Sequence, residues 1–123
     1  MENTTKKIAP ITLAKEAARL FWGKKGKKIV VLNVHKLTTI ADYIVIGTVE
    51  SSVQMATVYD FIAAHFKQKG CFQIERQQTK VEQSPNWRIM DYGSVIVNIM
   101  TQPTREFYSL EKIWHKARKL TFR

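Results

Sequence analysis

Apolar positions along the chain change period several times, and each change marks an element. Leu13, Ala14, Ala17, Leu20 and Phe21 recur at helical spacing, with Thr12 placed to cap the start and Gly23 to end the helix in a left-handed conformation. "KKIVVLNV", residues 27–34, is β-branched and apolar, the pattern of a buried strand. "HKLTTIA" links it to "DYIVIGTV", residues 42–49, a second strand of the same kind. The period then becomes helical again. Met55, Val58, Tyr59, Ile62 and Phe66 form one stripe, Ser51 or Ser52 is the natural N-cap, and Gly70 is the stop.

Beyond Gly70, residues 72–82 alternate weakly and read as an outer strand, broken by "SPN". "NWRIMDYGSVIVNIM", residues 86–100, reads as two strands, 87–92 and 94–101, turned at Gly93. Pro103 ends the second strand. Ser109 caps a last helix with Leu110, Ile113, Trp114, Ala117 and Leu120 on one side. The order α-β-β-α-β-β-β-α, without repeats or linkers, predicts an α/β fold. It is a single domain over residues 1–123, a mixed β-sheet flanked by helices, with residues 1–9 as a mobile lead-in. The 42–49 strand, the helix after it and the 72–82 strand suit a right-handed crossover.

Composition narrows the class. A chain of 123 residues with 45% hydrophobic content builds a core without a disulfide or metal staple. The single cysteine, Cys71, excludes an internal disulfide, fits a reducing, cytoplasmic setting, and reads as a packed thiol rather than a nucleophile. No apolar run approaches the ~20 residues that span a bilayer, and the N-terminus has no secretory apolar region. No membrane partner is expected.

The net charge of +10 is unevenly spread. Residues 1–36 hold 9 Lys/Arg against 2 acids, residues 105–123 hold 6 against 2, and residues 37–104 hold 5 against 6. Basic ends around a neutral middle suit a nucleic-acid-rich neighbourhood or, equally, a solvated lysine surface. Lys24, Lys25, Lys27 and Lys28 are the candidates to face RNA.

Chemistry is hard to place. "IVIGTVESSVQMATV" runs a strand through Gly47 into a helix N-terminus, where a phosphate can bind. Neither G-x-x-x-x-G-K-[ST] nor G-x-G-x-x-G occurs, and Glu50 puts negative charge at that place. Nucleotidyl transfer needs clustered carboxylates around metal ions, but Asp42 and Asp91 each stand alone in the central strands. His35, His65 and His115 have no metal-ligand spacing, and no nucleophile elbow surrounds a serine. The reading is a protein that is not an enzyme and needs no metal or cofactor. The aromatic hairpin strand then suits a contact surface: Trp87, Ile89 and Asp91 share one face, Arg88, Met90 and Tyr92 the other. Packing of Trp87 at the sheet edge is the competing reading.

Three segments carry a family resemblance: "TTIADYIVIGTVESSVQM", "WRIMDYGSVIVNIM" and "REFYSLEKIW". They resemble the ribosomal silencing factor, or Iojap-like, family. Ala41, Asp42 and Tyr43 match its strand entry, and Ser51 and Gln54 its helix opening. Trp87, Asp91, Tyr92 and Gly93 match its hairpin. Arg105, Phe107, Tyr108, Leu110, Glu111 and Trp114 match its closing motif. The resemblance spans roughly residues 10 to 115. It implies a nucleotidyltransferase-like fold without catalytic carboxylates. It also implies a partner, ribosomal protein L-fourteen on the large subunit, with subunit joining blocked and translation repressed when nutrients are short. Family members are often homodimers. On this resemblance Trp87, Ile89, Met90, Asp91 and Tyr92 are the docking residues, with ribosomal RNA near the basic ends. The alternatives are a nucleotide-binding or nucleotidyl-transfer enzyme and a free-standing RNA-binding protein.

The chain departs from the family pattern at four positions. Val49 stands for a usual glycine, Val53 for an arginine, Ser94 for an aspartate and Asn98 for a histidine. The first two alter the turn and helix start around residues 47–54. The last two alter the polar contacts of the hairpin and leave its aromatic residues in place.

Overall fold

The computed structural model describes residues 8–74 and 84–123. A five-stranded mixed sheet forms the centre, in the order β3-β4-β2-β1-β5. Its strands are β1 (Lys27–Asn33), β2 (Tyr43–Val49), β3 (Trp87–Asp91), β4 (Val95–Thr101) and β5 (Arg118–Leu120). β2 and β4 run parallel and every other neighbour is antiparallel. The expected α/β class with a mixed sheet is borne out.

Helix α1 (Pro10–Gly23) buries Leu13, Ala14, Ala17, Ala18 and Phe21 against one sheet face. It starts earlier than expected. Pro10, not Thr12, sets the first turn, because proline has no N–H to satisfy and its fixed φ suits the helix. Helix α2 (Ser52–Gln68) lies beside α1 and buries Met55, Val58, Ile62 and Phe66. Its start is a reciprocal cap: Ser51 Oγ accepts from the Gln54 N–H and Gln54 Oε1 accepts from the Glu50 N–H. Gln54 Nε2 also donates to the carbonyls of Lys24 and Lys25, tying the end of α1 to the start of α2.

The C-terminal third differs from the sequence pattern. Residues 71–74 carry no strand, and the rest of the expected 72–82 strand lies outside the described residues. The parallel neighbour of β2 is instead β4, in register from Tyr43 with Val95 to Val49 with Thr101. β4 ends at Thr101, just before Pro103 as expected, and Pro103 then sits in the first turn of α3 (Gln102–Tyr108). Ser109 adopts the left-handed conformation, φ 47 and ψ 53, and breaks the path, so the expected long helix shrinks to the single turn α4 (Leu110–Ile113). The chain then returns as β5, which covers the edge that β1 would otherwise expose.

Both sheet faces are therefore packed. The α1–α2 face holds Val31, Val45, Met90, Val95, Val97 and Ile99, joined by Leu120 and Phe122 from the C-terminus. The opposite face holds Leu32, Val34, Ile44, Ile46 and Met100, joined by Trp87, Leu110, Trp114 and Ala117. Of the C-terminal stripe foreseen in the sequence, Leu110, Trp114 and Ala117 face the sheet there, whereas Leu120 packs on the other face and Ile113 is exposed, because the chain makes one helical turn and then a strand. Among the described residues no helix is long and apolar enough to cross a membrane.

Candidate partner-binding surface

Hairpin β3–β4 pairs Trp87 with Met100, Ile89 with Asn98 and Asp91 with Ile96, which places these side chains on the face opposite α1 and α2. The indole Nε1–H of Trp87 donates to Asn98 Oδ1 at 3.0 Å, and Asn98 itself is buried. The departure at Asn98 thus supplies the partner of this indole. Tyr108 at the end of α3 stacks obliquely on Trp87, ring centroids 4.8 Å apart. Phe107 meets Tyr108 edge-on at 5.0 Å. The three rings make a row from the sheet edge to α3. Phe107 is 80% exposed and Tyr108 50% exposed.

The other expected docking residues have structural duties. Met90 is fully buried in the core below α2, and Ile89 and Asp91 are also buried. Asp91 Oδ1 accepts from the Gly93 N–H at 2.8 Å, and Gly93 has φ +87, so this carboxylate closes the hairpin turn. Tyr92 packs edge-on to Phe66, centroids 5.3 Å apart, and burial pushes its phenol pKa far above the ordinary range. Only Trp87 of the five reaches the surface row. Phe107 and Tyr108 belong to the closing motif in the sequence, but periodicity alone gave no sign that they point outward.

The motif residues meet in space. The backbone N–H groups of Asp42 and Tyr43 both donate to the Ser94 carbonyl, joining the strand entry to the hairpin turn. Asp42 Oδ1 is 2.7 Å from His35 Nδ1. Buried Arg105 joins α3 to the other elements. Its Nη1 donates to the Lys28 carbonyl at 2.6 Å and to Thr48 Oγ1 at 2.8 Å, and Nε and Nη2 grip both carboxylate oxygens of Glu111. That grip holds the Glu111 pKa below the usual carboxylate range against the opposing effect of burial.

The four candidate RNA-facing lysines do not act alike. Lys27 Nζ pairs with Glu50 at 2.7 Å, which raises the lysine pKa and lowers that of the glutamate. Lys24 Nζ lies 4.4 Å from the centre of the Phe61 ring. Lys25 and Lys28 are exposed and hold positive φ, 69 and 52. Two open clefts of about 540 and 360 Å³ meet at Lys28 and Gln102. Of the three carboxylates lining them, Glu50 and Glu111 are paired with Lys27 and Arg105, and Glu106 accepts from Gln102 Nε2 at 2.7 Å. Among the described residues no group of three or more His, Cys, Asp or Glu side chains is placed to hold a metal.

Fold and surface together define a class: an α/β domain with a row of exposed aromatic rings. The chain belongs to the ribosomal silencing factor (RsfS) family, whose description, ribosomal silencing factor during starvation, matches residues 7–123. The RsfS of Haemophilus influenzae is 35% identical over 92 residues, covering 75% of this chain and 87% of that protein. The chloroplastic protein Iojap of Zea mays is 32% identical over 111 residues, covering 87% of this chain and 43% of that one. A crystal structure of a Chromobacterium violaceum protein superimposes with a TM-score of 0.79 at 24% identity, covering 94% of this chain and 92% of the other, which supports the fold.

Proposed function

We propose that this protein binds the large ribosomal subunit through ribosomal protein L-fourteen, blocks joining of the small subunit, and so represses translation when nutrients are short. It acts in the cytoplasm by occupying a surface, without catalysis or cofactor, and a homodimer is part of the proposal. The observation that carries this reading is the exposed row Trp87–Tyr108–Phe107. Large aromatic side chains left in water by a small domain are the usual anchors of a protein interface. Family membership supplies the ribosome as the partner. A mouse relative, 26% identical over 91 residues covering 74% of this chain and 40% of its own, carries assembly of the mitochondrial large subunit in its name.

Sucrose-gradient sedimentation with isolated subunits tests the proposal. The protein is expected to travel with large subunits and not with small ones. Travel with both equally, or with neither, sinks it. The nucleotidyl-transfer alternative predicts a raised melting point on adding nucleotides and magnesium. The capped start of α2 and the paired carboxylates of the clefts favour no such shift.

A further inference from the structure

The two basic ends, remote in sequence, meet at one edge of the fold. β5 pairs with β1, and the tail beyond it crosses α1. Arg19 Nη1 donates to the Phe122 carbonyl at 2.7 Å and thereby fixes the tail. The Arg123 guanidinium then lies 4.8 Å from the Trp22 ring centre and 5.7 Å from that of Phe122. Lys15, Arg19 and Trp22 follow each other at helical spacing on one flank of α1. Arg118 shares a strand face with Leu120, which packs on the same side of the sheet as α1.

Acidic side chains are nearly absent from both contributing segments. Residues 112–123 hold five Lys/Arg and no Asp or Glu. The one acid in residues 8–36, Glu16, binds His65 of α2 and Lys69 just beyond its end, on the other flank of α1. Trp22 is 51% exposed amid these cations.

We infer that this edge binds single-stranded RNA, with a base stacked on Trp22 and phosphates held by Lys15, Arg118 and Arg123. Cations alone would suit any polyanion. A half-exposed indole selects a ligand with a free π-face, which a single strand offers and a duplex keeps within its own stack. A bilayer needs a broad apolar face, but α1 turns Leu13, Ala14, Ala17, Ala18 and Phe21 to the core. In the free protein Arg123 covers the indole, and a guanidinium on one ring face leaves the other for a base. β5 and β3 are the two opposite edges of the sheet, so RNA here leaves Trp87 and its row free for a protein. The inference rests on the ribosome proposal only for the natural source of the RNA.

The test is fluorescence anisotropy with a labelled, mixed-sequence, single-stranded oligoribonucleotide of about ten residues, a length suited to one small domain. The wild-type protein is expected to bind it with salt-dependent affinity. Trp22→Ala should weaken binding about tenfold, the scale of one lost base stack, with its melting point kept. Arg123→Gln, at an exposed side chain, should flatten the salt slope by about 0.7, and it decides the matter should Trp22→Ala melt early. No binding by wild type, unaltered binding by Arg123→Gln, equal binding of duplex RNA, or preference for phosphatidylglycerol vesicles would each overturn the site. Wild-type protein that binds the oligonucleotide but ignores large subunits sinks the ribosome proposal and leaves this one standing.

Discussion

The ring of Phe21 fills the space above Gly47. A Cβ built on Gly47 would lie 2.4 Å from both Cε2 and Cζ of that ring, and one on Gly26 would lie 2.1 Å from Cδ1. The two glycines thus form a slot for one fully buried phenyl group from α1. Gly47→Ala is expected to destabilise the protein by about 1–3 kcal/mol, because the ring has no open space to retreat into. Urea denaturation measures the change. Adding Phe21→Leu to Gly47→Ala should recover part of the loss, since the double variant relieves the clash.

That slot shows why the sequence was only partly legible. Gly47 invited a phosphate-binding reading because a glycine between strand and helix is common to both cases; its partner, Phe21, is 26 residues away and no local pattern announces it. Strands β1 and β2 and helix α2 were readable because their periodicity and caps are local. The C-terminus was not. The stripe Leu110, Trp114 and Ala117 fits a helix, yet its apolar face is met equally well by a turn and an edge strand once Ser109 turns left-handed. In the docking stretch, alternation correctly divided Trp87, Ile89 and Asp91 from Met90 and Tyr92. It gave no warning that both sheet faces are covered, which leaves Trp87 as the only one of the five in the surface row.

Arg105 gathers β1, β2, α3 and α4 through four charge-assisted hydrogen bonds. Arg105→Met should cost about 3 kcal/mol, the scale of breaking a buried ion pair from one side. Arg105→Lys should recover little, because an ammonium lacks the planar fork that reaches Glu111, Thr48 and the Lys28 carbonyl together. Glu111→Gln should cost less than Arg105→Met, since the Glu111 side chain is 38% exposed and water shares its burden. Thermal denaturation of the three variants checks this order.

Stability should fall in acid partly through Glu16. Burial would raise its pKa, but hydrogen bonds and charge from Lys69 and His65 together outweigh that and leave it lowered from the ordinary 4.5. A carboxyl depressed by folding contributes fully above its unfolded pKa and loses that contribution as pH drops through the folded value. The wild-type protein should therefore lose more stability than Glu16→Gln between neutral pH and about pH 3. Equal losses, read from urea midpoints, would show that the Glu16 contacts add nothing.

The proposed docking surface is best tested where it is most exposed. Phe107 is 80% exposed, and it touches Tyr108 rather than the core. Phe107→Ala should keep the wild-type melting point and weaken large-subunit binding by about 2 kcal/mol, the hot-spot scale. Tyr108→Ala should do the same with a small loss of stability, because its ring also supports Trp87. Trp87→Ala is a harsher change: it removes half-buried packing and strands the Asn98 amide oxygen, so loss of stability accompanies loss of binding. Asp91→Ala opens the hairpin turn at Gly93 and should destabilise without reporting on the interface. Sedimentation and melting of Phe107→Ala therefore decide the assignment. A folded Phe107→Ala protein that binds large subunits as tightly as wild type would move the contact away from this row.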